Sequence, residues 1–394
     1  MDSLEEQGTA ARAESAVFAV AAVGALAIAG SSFFLLLPLF VGRFVEDLGF
    51  TESQAGIVAS WEMAGIAISS LLAVFWIPRL NARRAVATSL VGLALVNAFA
   101  ATLATPSSMY VARFVAGFFG GVVYQVVSAR IASTRQPDRM YGVLFSGQLL
   151  FATLGFAVLP PLLQGRSISA AFVALSVVTV AGLCFIQWIP GRPVTAASKG
   201  AGGPVDRRAL RKPGFAFMAS IFLLYVATNA IWTYVDRIGI HAGLPASVVG
   251  FSLSAANAAG LVGALAVTFL GTKLGRSWPV AVSFVCVVFA AGVLVDPPGA
   301  AWYAVGTAVF MFVWCFQVPL IFGSIADYDS SGYLASLAVA AMTIGMVAGP
   351  AAAAWLIDRT TYAQILLSGI ACLVVSAAIV LPVMARARRR KKET

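Results

Sequence analysis

The sequence predicts an all-α polytopic membrane protein, with twelve transmembrane helices in two six-helix bundles. Three observations predict it. The mean hydropathy is +0.91, and charged residues make up 11% of the chain, against about 25% in soluble domains. The apolar residues come in runs of roughly 20, the length that crosses a bilayer core. The charges lie between the runs and are predominantly basic. A net charge of +10 could by itself suggest nucleic acid. Basic residues confined to short connectors point instead to membrane topology, so the expected surroundings are lipid and no nucleic-acid partner is expected.

The apolar runs fall at 16–41, 54–77, 85–104, 107–130, 141–163 and 168–189. A connector containing Gly, Lys and Arg follows at 190–213. Six further runs lie at 214–236, 245–271, 275–294, 300–325, 331–356 and 361–385. The expected organisation is an N-terminal segment 1–15, a bundle over 16–189, a central loop 190–213, a second bundle over 214–385 and a basic tail 386–394. The first run is too long for a signal peptide and lacks a cleavage site, so it is expected to stay as a span. Twelve spans put both termini on one side. With that side cytoplasmic, 21 of the 26 Lys and Arg lie inside, and only Arg43, Arg166, Arg237 and Arg359 lie outside. The positive-inside rule therefore predicts cytoplasmic termini, with the chain in a bacterial inner membrane. The tail run Arg386–Lys392 reads as headgroup contact.

The long middle connector divides the chain as parallel-repeat transporters are divided. A local echo supports a repeat: Glu62-Met63-Ala64-Gly65-Ile66 in the second span matches Asn257-Ala258-Ala259-Gly260-Leu261 in the eighth. Span 4 reads RFVAGFFGG (113–121), the connector after span 8 reads GTKLGRS (271–277), and span 11 carries GMVAGP (345–350). With the 6+6 layout, these stretches make the chain resemble the major facilitator superfamily over essentially its whole length. The resemblance implies a secondary transporter working by alternating access, with spans 1, 4, 7 and 10 around a central cavity. There are departures. The connector FWIPRLNARR (75–84) lacks the family's Gly and Asp, Thr272 stands where the second aspartate would fall, and span 5 has no clean G-x-x-x-G-P. Direction of transport therefore stays open.

Within the span interiors only Glu62 and Arg113 carry full charges. Intramembrane charges are costly and usually face a cavity or each other. At 1.5 Å per residue Glu62 lies about 12 Å in from the outside and Arg113 about 9 Å, so the two opposite charges sit at similar depth. Two readings follow: a static ion pair between helices, or a proton-coupling site in which Glu62 takes and releases a proton while Arg113 modulates it or binds an anionic substrate group. Desolvation favours the neutral carboxyl and an adjacent guanidinium favours the anion, so movement of a cavity could switch it. Arg113 also matches the span-4 arginine of the family that the chain resembles.

Further substrate-binding candidates follow from helical spacing. Tyr225, Asn229, Trp232 and Asp236 fall on one face of span 7, an aromatic wall with an amide for orientation, although an interfacial role accounts for Asp236. Arg113, Gly117, Gly120 and Tyr124 share a face of span 4, where the glycines serve close packing. Phe310, Trp314 and Gln317 form a stripe on span 10. Gln148, Gln125 and Asn257 complete the set. The four cysteines lie far apart inside apolar runs and His241 is the single histidine, so no metal site is expected. No phosphate-binding G-x-x-x-x-G-K-[ST] loop and no nucleophile–base pair is seen, which leaves an ion gradient or the substrate's own gradient as driving force. The expectation is a monomeric, non-enzymatic secondary transporter without cofactor, proton-coupled, moving a small amphipathic organic compound. The compact length and short termini resemble the family's twelve-span efflux branch, which implies efflux, although span 1 lacks the acidic residue that a cation exporter would often show. Proton-linked transport of an organic anion held by Arg113 is the alternative, and a non-transporting receptor or scaffold the remote one.

Overall fold

The computed structural model describes residues 22–77, 79–132, 134, 137–189, 207–270, 275–329 and 333–393. The expected segment 1–15, the start of the first span, residues 190–206 of the central loop and residues 271–274 of GTKLGRS lie outside the described residues. All regular structure among the described residues is helical. The helices are α1 (Ala22–Leu35) and α2 (Leu37–Leu48), α3 (Glu52–Trp76), α4 (Ala82–Ala100), α5 (Pro106–Ala132), α6 (Pro137–Leu162), α7 (Ile168–Leu183), a 3₁₀ turn Ile186–Trp188, α8 (Arg207–His241), α9 (Ala246–Leu270), α10 (Ser277–Val295), α11 (Ala300–Tyr328), α12 (Tyr333–Ile357) and α13 (Tyr362–Glu393).

Among the described residues nine helices are long and apolar enough to cross a membrane, or ten if α1 and α2 count as one bent span. The expected twelve are not all counted, for local reasons. The first span is bent by 43° at Leu36, two residues before Pro38, which has no N–H to continue the ladder. Helix α7 has 16 residues, and α4 opens on Arg83 and Arg84 and carries Asn97 in its body. The run expected to end at residue 41 continues as helix to Leu48, because Arg43 and Glu46 are polar but good helix formers and Arg43 pairs with Asp47 one turn on. Gly49, at φ 66°, ends α2 in a left-handed cap. Thr51 and Gln54 then start α3 with reciprocal bonds of 3.1 and 3.0 Å, a capping box that fixes Glu52 in its first turn.

Two sets of helices result. In the first, α3 packs on α5, and α4 on α5 and α7; in the second, α8 packs on α12 and α13, and α9 on α11. Glycines govern the close approaches. A Cβ on Gly65 would strike the Phe114 carbonyl and one on Gly117 the Glu62 carbonyl, so the α3 and α5 backbones touch. In the second set, a Cβ on Gly263 would strike the Phe312 carbonyl, bringing α9 equally close to α11. The echo between 62–66 and 257–261 thus falls on corresponding helix pairs. In GMVAGP, Gly345 and Gly349 lie against the α8 backbone at Phe222 and Val226, with Pro350 inside α12. The sets meet through α2 on α8, α3 on α12 and α6 on α9.

Candidate functional site

The α3–α5 backbone contact sets Glu62 and Arg113 side by side. Arg113 Nε donates to Glu62 Oε2 at 2.9 Å. Nη2 lies 2.7 Å from the same oxygen but is poorly directed for a hydrogen bond. Nη1 donates to Asn97 Oδ1 of α4 at 2.7 Å. The guanidinium carbon stands 4.0 Å over the Phe33 ring and 5.7 Å from that of Phe172. The Arg113 side chain is 0% exposed and that of Glu62 5%. One carboxylate balances one guanidinium, an amide takes a further donor and a ring covers its face, which is how a buried charge pair becomes tolerable. These partners come from α1, α3, α4, α5 and α7, so the cluster lies within the first helix set. Asn97, Phe33 and Phe172 escaped the sequence reading. An amide amid the apolar residues of α4 was a usable signal, but nothing separates these two phenylalanines from the 27 in the chain.

The other candidates divide into an aromatic group and committed amides. Trp314 of α11 packs edge-on against Tyr225 (6.2 Å), Trp232 (6.4 Å) and Phe310 (6.1 Å). Phe156 of α6 reaches Trp232 at 6.4 Å, so the group bridges both helix sets. Asn229 and Asn257 donate to the carbonyls of Tyr225 and Leu253, one turn back on their own helices, at 2.9 and 2.8 Å. Gln148 donates to Ser31 on α1 and Gln125 to Ser70 on α3, each at 2.7 Å. Gln317 does not join the aromatic group; its Oε1 accepts from Ser283 of α10 at 3.0 Å. Tyr124 is half-buried against a separate apolar cluster containing Val123 and Val127.

A second polar cluster, unforeseen as such, joins the sets at the end carrying the turns 48–52, 241–246 and 357–362. Arg237 of α8 binds Glu46 of α2 at 2.9 Å and Glu52 of α3 at 3.0 Å. The Tyr234 hydroxyl donates to the Glu52 carbonyl at 2.7 Å. Asp236 lies so close over Gly42 that a Cβ there would overlap its Oδ2. On the α6–α9 side, Ser254 donates to the Thr153 carbonyl at 2.8 Å, and Gly250 receives Pro160. Asp236 was assigned to an interfacial belt and Arg237 to a connector. Periodicity along one helix cannot reveal which residues another helix brings opposite.

This arrangement, two helical sets joined through facing helix pairs, agrees with the comparisons. The fold matches two crystal structures of the nucleoside transporter NupG. A point mutant aligns with TM-score 0.73 at 14% identity, covering 93% of this chain and 99% of that one. The unmutated protein aligns with TM-score 0.70 at 14% identity, covering 93% and 98%. No curated protein matches the sequence. The family model described as Major Facilitator Superfamily matches residues 22–333, most of the chain, and with the all-helical fold this means that the chain belongs to the Major Facilitator Superfamily.

Proposed function

We propose that this chain, a multi-pass secondary transporter by family, moves a small amphipathic organic compound by alternating access and draws on a proton gradient. The observation that carries the reading is the junction between the helix sets at the Thr51 end. There Arg237 bridges Glu46 and Glu52, and Tyr234 ties down the same turn. Ion pairs and single hydrogen bonds between rigid bundles can be made and broken as the bundles rock, whereas each bundle is held by backbone-close glycine contacts that persist. Positive-inside counting makes this the external end, so the conformation is the one closed to the outside.

The aromatic group Tyr225, Trp232, Phe310 and Trp314 suits the apolar body of a substrate. Arg113 has Glu62, Asn97 and the Phe33 face as partners and no exposed surface. It therefore offers no open edge to a substrate carboxylate, which favours a neutral or cationic compound over an organic anion. Nucleosides, named for the structural neighbour NupG, combine a planar ring with a polar sugar and have the required character. The test is flux of uridine and of ethidium, an aromatic cation, in proteoliposomes with and without an imposed pH gradient. One probe is expected to move faster with the gradient. Trp314→Ala is expected to raise its half-saturating concentration about tenfold, the loss of roughly 1.4 kcal/mol of aromatic contact. Gradient-independent flux would count against proton drive, and an unchanged half-saturation against the aromatic wall.

A further inference from the structure

Charge balance separates the two polar clusters. The pair inside the first set matches one carboxylate with one guanidinium. The junction does not. Three carboxylates, Glu46 of α2, Glu52 of α3 and Asp236 of α8, gather around Arg237, which is bound to the first two. Arg43, the other cation lining the junction, is paired with Asp47 at 2.7 Å and donates to the Arg166 carbonyl. No arginine stands at ion-pair distance from Asp236 among the described residues. Glu52 is served by Arg237 and by the Tyr362 hydroxyl of α13, which donates to it. A carboxylate held out of water with no cation beside it, as at Asp236, is a position that a proton would satisfy.

Among the described residues no further arginine or lysine is at ion-pair distance from these groups. From α11, Tyr303 donates its hydroxyl to the Val235 carbonyl at 2.7 Å. From α13, the Tyr362 ring packs on Tyr234 at 6.2 Å and on His241 at 5.2 Å. Asp236, Glu46, Arg43, Gln164 and Ser247 line a cavity of about 90 Å³ between the sets, large enough to hold water and so to deliver a proton.

We propose that a proton binds at the carboxylate of Asp236 in this junction, and that the junction closes with that proton bound. The inference rests on the alternating-access reading and names the site at which protons act in it. With the proton on Asp236, the closed junction holds two negative charges against Arg237 instead of three. Without it, like charges are pressed together out of water. Acid therefore favours the closed junction, and rising pH favours its opening to that side.

The experiment measures the junction directly. Spin labels go on Ser167→Cys and Thr360→Cys, both exposed and at this end in different helix sets, with the four native cysteines replaced, in lipid nanodiscs. Electron–electron distances are recorded between about pH 5 and 9. The short distance is expected to dominate in acid and a longer one to grow as pH rises. Asp236→Asn, which mimics the protonated group, is expected to stay closed throughout. Glu46→Gln, at a carboxylate 42% exposed, removes part of the same crowding at little risk to folding and is expected to move the midpoint of opening up by about one pH unit. A distance distribution insensitive to pH, or variants that follow the unmodified profile, would overturn the proposal. Uridine and ethidium flux in the same proteins separates the two levels. Opening with pH but no flux refutes the transport reading alone, and flux without pH-driven opening refutes the gate alone.

Discussion

Arg113→Ala is expected to lower the stability of the folded protein by about 3–5 kcal/mol, the usual cost of stranding one member of a buried ion pair. The change leaves the Glu62 carboxylate without its cation, Asn97 Oδ1 without the Nη1 donor, and a void beside Phe33. Replacing both members by uncharged residues of similar length, Glu62→Gln with Arg113→Met, is expected to cost clearly less than Arg113→Ala alone, because no charge is then buried unpaired. Thermal unfolding midpoints in detergent test the order. Equal losses in the single and double variants would mean that the pair is not a clamp. The pH profile of flux in Glu62→Gln adds an independent reading. Unchanged pH dependence leaves protons at the junction, whereas its loss in a folded Glu62→Gln protein would return the proton to Glu62.

Gly117→Val is expected to be comparably severe. The new side chain would meet the Glu62 carbonyl, a backbone atom that cannot rotate away. Helices α3 and α5 must part, which lengthens the Arg113 contacts as well. Overpacking alone costs about 1–3 kcal/mol, and the disturbed ion pair adds to it. Gly142→Ala is the matched control. It lies in α6 with nothing within 4 Å of an added Cβ, and it is expected to be neutral or to stabilise by up to about 1 kcal/mol. If both variants unfold at the same midpoint, backbone-close packing is not what holds the first helix set together.

Two kinds of information were legible to different depths. Glu62 and Arg113 could be paired from sequence because each is a lone charge in an apolar run, and depth along a helix is set by residue count. Their third partner, Asn97, was not found, because an amide carries no sign to match. The stripe Phe310, Trp314 and Gln317 was read as one face. In the structure Gln317 turns to Ser283 of α10 while Trp314 turns to α8. A stripe three residues long spans enough of the helix surface for its members to meet different neighbours.

By itself the sequence determined the helical membrane character and the family, because burying backbone in lipid leaves a hydropathy pattern that each segment carries alone. Only the tertiary structure decided which charges face each other across the two helix sets. Glu46, Glu52, Asp236 and Arg237 sit at three helix ends separated by up to 191 positions, each unremarkable in its own run as a polar residue near a turn. Their crowding exists only when α2, α3 and α8 converge, and Coulomb interaction depends on that distance in space.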